Sequence, residues 1–149
     1  MKLSYILRKW KIDVEVFDMF PKNRIPFAQG FLQNLDYRRK YARILINQPQ
    51  SIEERVITLL HELLHIDPER DPRRCRSPYV RLDLEIAINL FFARNTHLNP
   101  ENLRHDSIQL SGAIEDSIEY EARSIYNRQP LLIGYLVRRF RLSHHTHSC

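Results

Sequence analysis

Residues 51–67 read SIEERVITLLHELLHID, and the rest of the chain is organised around them. The stretch contains His61-Glu62-Leu63-Leu64-His65, an HExxH motif. On a helix, two histidines four residues apart differ by about 40° in azimuth and about 6 Å in rise. Their imidazoles can therefore share one metal ion, and zinc (Zn2+) is the usual occupant. Glu62, between them, is placed to take a proton from a water held at that ion. The helix itself is predicted independently of the motif. Ser51 followed by Glu54 forms a capping box, which marks a helix start. Ile52, Val56, Leu59, Leu60 and Leu63 recur at helical spacing and define one apolar face. At about 100° per residue, His61 and His65 fall nearly opposite the centre of that face, near Glu54 and Thr58. A histidine used only for core packing would lie on the apolar side.

Outward from this helix, residues 41–47 (YARILIN) have the composition of a strand. Residues 29–35 suit a second strand, and the polar turn 36–40 would join the two as a hairpin. Residues 12–17 alternate apolar and acidic side chains, which predicts another strand. Residues 1–11 suit a short amphipathic helix, and Pro21 and Pro26 mark a loop. After His65, prolines 68, 72 and 78 among arginines predict a loop over residues 67–78. Residues 82–93 alternate in part like a strand, but their length and lack of turn residues favour a buried helix. Residues 95–112 read as mostly loop, with a short strand or turn at 107–111. Residues 113–128 (AIEDSIEYEARSIYNR) form a helix with Ile114, Ile118, Ala122 and Ile125 as its apolar stripe. Pro130 restarts the chain as a helix over 131–140. The expected fold is α+β, one domain over residues 1–142: a small three-stranded antiparallel sheet beside several helices, with HExxH on the central one. Residues 143–149 are expected to be a disordered tail.

Two histidines leave a zinc site incomplete, because hydrolytic sites use three protein ligands and a water. No HExxHxxGxxH extension follows His65, so a carboxylate on a later helix is expected. Glu85 is one candidate, in the apolar helix. Glu115, Glu119 and Glu121 cluster in the next one, and periodicity alone does not separate them.

The order of strand YARILIN, helix ERVITLLHELLH and helix IEYEARSIY followed by Pro-Leu-Leu resembles the ImmA/IrrE group of zincin metallopeptidases, over residues 31–132. The resemblance implies a zincin-like fold and zinc-dependent hydrolysis of peptide bonds in a protein or peptide substrate. It implies His61, His65 and Glu119 as metal ligands, since Glu119 stands three residues before Ala122, and Glu62 as general base. It further implies a transcriptional regulator as a substrate by analogy. An exposed edge of the hairpin could take the substrate in extended form. Tyr79, Tyr120 and His105 are candidates for an additional oxyanion donor.

The composition narrows the setting. Of 149 residues, 43% are hydrophobic, as in a globular domain with a real core. The formal net charge is +5. Basic residues cluster at Arg38-Arg39-Lys40, between Arg70 and Arg76, and at Arg138-Arg139 with Arg141, without the aromatic interleaving of a single-strand binding platform. They read first as a solvated surface. Nucleic acid is a less favoured partner, and no stretch is long enough to cross a membrane. The two cysteines, Cys75 and Cys149, are isolated, which fits a reducing cytoplasm. Cys75 reads as a structural thiol. His144, His145, His147 and Cys149 offer ligand types in the tail, but no surrounding structure to hold them. The alternative function is a metal-binding regulatory or interaction domain with little hydrolysis, using the basic clusters.

Overall fold

The computed structural model describes residues 1–18, 29–76 and 84–144. Along the chain run α1 (Leu3–Lys9), β1 (Lys11–Phe17), β2 (Gly30–Asp36), β3 (Tyr41–Asn47), α2 (Ile52–Leu64), a 3-10 turn (Pro72–Arg76), α3 (Leu84–Arg94), α4 (Pro100–Arg104), α5 (Ser107–Arg128) and α6 (Pro130–Arg139). The fold is α+β. The expected tail from residue 145, with His145, His147 and Cys149, lies outside the described residues, as do Tyr79 and the loop prolines 21, 26 and 78. No described helix is long and apolar enough to cross a membrane.

The most apolar strand takes the centre of the sheet, whose order is β1-β3-β2. Ala42, Ile44, Leu45, Ile46 and Asn47 of β3 are buried. β2 and β3 form the expected antiparallel hairpin, with a register shift between Gln33 and Asp36. Asn34 adopts a left-handed φ of 51° at that shift, a conformation its short polar side chain tolerates. β1, however, pairs parallel to β3, from Lys11 opposite Tyr41 to Phe17 opposite Asn47. The sheet is therefore mixed, and the expectation of a wholly antiparallel sheet is corrected. The hairpin occupies one side of β3, so β1 must join on the other. The chain between β1 and β3, which includes β2, is long enough for the crossover that a parallel pair needs.

α2 begins where the capping box places it, with the Ser51 hydroxyl oxygen accepting from the Glu54 amide at 3.1 Å. Val56, Leu59, Leu60, Leu63 and Leu64 are fully buried against the sheet and α5, whereas Ile52 in the first turn stays largely exposed. Truncating one of these leucines to alanine costs roughly 2–5 kcal/mol. The sheet approaches α2 closely at Gly30. A methyl group there would stand 2.6 Å from Thr58 Cγ2 and 2.8 Å from the Leu45 carbonyl, so only glycine lets β2 begin beside the motif helix.

Two stretches read as loop are helical. α4 is capped by Asn99, whose side chain accepts from the Glu101 amide. Residues 107–111 are the first turns of α5 rather than a strand or turn, because Asp106 accepts from the amides of Ile108 and Gln109 at 3.0 Å each. The α5 stripe is as expected: Ile114, Ile118 and Ala122 are fully buried and pack the helix on the core shared with α2. The buried Arg55 guanidinium fastens the far end of the chain to α2, donating to the carbonyls of Gln48 and Leu142 at 2.8 Å each.

Candidate metal centre

Once the stripe of α5 is buried, Glu115 and Glu119, one turn apart beside it, face the histidines of α2. Glu115 Oε2 lies 2.8 Å from His61 Nε2 and 3.0 Å from His65 Nε2, and the two Nε2 atoms are 3.1 Å apart. The other ring nitrogen of each histidine also meets a carboxylate. His65 Nδ1 lies 2.9 Å from Asp71 Oδ2, and His61 Nδ1 lies 3.3 Å from Glu119 Oε1.

This pattern assigns the protons. A carboxylate at each Nδ1 holds the imidazole N–H there and orients the ring. Both Nε2 lone pairs then converge on a carboxylate oxygen, and three acceptors at such distances repel unless a cation lies among them. The cation is either a metal or added protons. Three donors on a tetrahedral ion at about 2.0–2.1 Å would stand about 3.3 Å apart, close to the observed separations. The residues fit a zinc ion: two imidazoles and one carboxylate, each with outer partners.

Without a metal, protons take that role. Burial opposes a charged imidazole at His65, but hydrogen bonds to Asp71 and Glu115 outweigh it and raise its pKa to about 9. His61 is raised too, with burial again opposed by Glu115. Burial would raise the pKa of Asp71 and Glu115, yet hydrogen bonds from the histidines and Arg73 bring Asp71 down to about 2 and Glu115 well below the usual carboxylate range. Glu62 behaves in the opposite way. Burial pushes its carboxyl up, with only partial relief from the two histidines. A carboxylate made more basic beside two histidines is suited to proton transfer.

Glu62 lines a cleft of about 450 Å³ together with Gly30, Phe31 and Leu32 of β2, and His65, Asp71, Arg73, Arg74 and Glu115. The cleft is thus bounded by an edge strand on one side and by the motif helix and the loop that leaves it on the other.

Glu119 was the expected third ligand, with Glu121 or Glu85 as alternatives, and the fold distributes these and Glu115 differently. Glu115 closes the triangle with both histidines. Glu119 sits behind His61, with Arg123 Nη2 3.8 Å from its other oxygen. Glu121 is bound through both oxygens by Arg70, at 2.8 and 2.9 Å. Glu85 is exposed on α3, 3.6 Å from Arg104. Tyr120 is exposed and lines a separate groove with α3 residues, and His105 caps α4 at the surface.

Asp71 and Arg73 had no signal in the sequence beyond a charged, proline-bounded loop after the motif. That loop turns straight back on the helix. The Asp71 amide donates to the Asp67 carbonyl at 2.9 Å, which carries the Asp71 carboxylate under His65. Tyr37, from the hairpin turn, donates to the Ile66 carbonyl and ties the same loop to the sheet. Comparison with protein-family models, with curated proteins and with solved structures gave no match.

Proposed function

We propose that the chain is a zinc-dependent peptidase. The observation that carries this reading is the convergence of His61 Nε2, His65 Nε2 and Glu115 Oε2 beside a cleft containing Glu62. His61, His65 and Glu115 would hold the ion, with Asp71 and Glu119 orienting the two imidazoles. Bound there, zinc supplies Lewis acidity, making water acidic near neutral pH and polarising a carbonyl. Glu62 accepts the proton of the attacking water at its carboxylate and returns it to the leaving amine. β2 is the outer strand of the sheet among the described residues and lines the cleft from Gly30 to Leu32, so an extended peptide would add there as a further strand. The resemblance to ImmA/IrrE peptidases adds a zincin-like fold, a cytoplasmic setting and a protein substrate such as a transcriptional regulator.

The alternative, a metal-binding interaction domain, draws on the basic surface. Lys11 and Lys40 are brought together by a backbone hydrogen bond of 2.8 Å, so exposed Arg8, Lys9 and Lys11 adjoin exposed Arg38 to Lys40. One variant separates the two readings. Purified wild type and Glu62→Gln, both supplied with zinc, are incubated with a library of unstructured peptides, and products are read by mass spectrometry. The peptidase reading expects about one zinc per chain in both and cleavage lowered roughly 10²–10⁴-fold in Glu62→Gln. Wild type that takes up no zinc, or binds it and cleaves nothing, overturns that reading.

A further inference from the structure

We infer that Arg73 is a positioning residue that holds Glu115 to the metal centre through one oxygen only, and so keeps a coordination position open. The inference rests on the proposed metal site. It starts from a division of labour within the Glu115 carboxylate. Oε2 faces both histidines, whereas Oε1 accepts from Arg73 Nη2 at 3.1 Å. The same guanidinium also grips Asp71, through Nε to Oδ1 at 2.8 Å and Nη2 to Oδ2 at 3.1 Å. Arg73 thus ties the carboxylate that orients His65 to the carboxylate that completes the triangle, although one lies on the loop after α2 and the other on α5.

Three physical facts give this bridge a function. A carboxylate can bind a metal through one oxygen or both, and a guanidinium already holding one oxygen disfavours the second mode. A catalytic zinc site needs three protein donors and one position left for water, and a two-oxygen carboxylate would crowd that position. Finally, the planar fork of arginine fixes direction as well as charge, which the single ammonium of lysine does not. Asp71 holds the fork still, since its carboxylate is buried and also accepts from the Arg73 amide at 3.2 Å.

The test uses full-length wild type, Arg73→Met and Arg73→Lys. Zinc affinity is measured by competition with a chromophoric chelator, and the visible absorption of the Co2+-loaded proteins reports coordination number. Arg73→Met should bind zinc roughly 10–100-fold more weakly. Its Co2+ band should lose intensity as Glu115 swings to bind through both oxygens. Arg73→Lys keeps the charge and the aliphatic stem but not the fork. It should recover only part of the affinity and retain the altered Co2+ spectrum, and it decides the matter alone if Arg73→Met fails to fold by circular dichroism. A wild-type Co2+ spectrum in either folded variant overturns the positioning role, even if affinity falls, because charge alone would then account for Arg73. Wild type that binds neither ion instead sinks the metal site itself.

Discussion

The two histidines of the motif share a helix face and a common target at Nε2, yet their surroundings differ. His65 is enclosed: its side chain is 5% exposed, and the Asp71 carboxylate behind it is 1% exposed. His61 is 17% exposed, and Glu119 behind it is 40% exposed at the longer distance of 3.3 Å. Asp71 is held by Arg73 and by the turn of its own loop. Glu119 is held by Arg123, a half-exposed arginine that also reaches Glu54. Hydrogen bonds between charged groups gain strength as water is excluded, and exposed ones are screened. The two imidazoles are thus held unequally, His65 tightly on the side of the loop that follows α2 and His61 more loosely on the side of α5.

That asymmetry can be broken by substitution. The largest effect should come from the atom both histidines share. Glu115→Gln replaces the charged donor by a poor one and should lower zinc affinity by more than about 100-fold, beyond the range for outer partners, as measured by chelator competition. Asp71→Asn, which keeps shape but no longer holds the Nδ1 proton of His65 with a full charge, should cost about 10–100-fold. Equal affinity in Asp71→Asn and wild type would show that the buried carboxylate does not act through His65.

The pH dependence sharpens the same comparison. In the metal-free protein His65 keeps its proton up to about pH 9. Zinc needs the neutral ring, so binding near pH 7 must release that proton. Affinity should therefore rise with pH, by about tenfold per unit for each proton displaced, and level off near pH 9. Calorimetry in buffers of different ionisation enthalpy counts the protons. In Asp71→Asn the opposing effect of burial gains ground, and the plateau should begin at lower pH. A plateau already reached at pH 7 in wild type would mean that His65 is not the proton-bearing partner of Asp71 and Glu115.

Much of this arrangement was legible in residues 51–65, for a physical reason. A cap, an amphipathic period and a metal-binding spacing are all local to one helix, so the sequence carries them without knowledge of neighbours. β3 was legible because a central strand is apolar along its length. The direction of β1 was not, since alternation predicts a strand but not which way its neighbour runs. The role of Asp71 was hidden because a charged loop has no period, and only its folded path brings it under His65. The choice among glutamates on α5 depended on something no single helix encodes. Glu115 and Glu119 lie one turn apart on the same side of the stripe. Which of them reaches Nε2 is decided by how far α5 slides along α2, and that follows from how Ile114 and Ile118 seat in the shared core.

The smallest predicted effect therefore tests that seating. Glu119→Gln leaves an oxygen to accept from His61 Nδ1 and removes only a half-exposed, screened charge, so zinc affinity should fall less than about tenfold. Glu115→Gln removes a ligand, so the two isosteric substitutions should differ by at least an order of magnitude. The family resemblance pointed instead to Glu119 as the ligand, and the same pair of variants decides between the two. If Glu119→Gln proves the more damaging, either the His61 ring turns to present the nitrogen that now faces Glu119, or α5 advances by one turn along α2. In the second case Ile114, Ile118 and Ala122 would have to exchange their places in the core, and Arg73 would lose the Glu115 carboxylate it now holds. If Glu115→Gln is the more damaging, the seating of α5 that sets Glu115 Oε2 against both Nε2 atoms is the seating that binds the ion, and the buried stripe of Ile114, Ile118 and Ala122 is what selects the ligand.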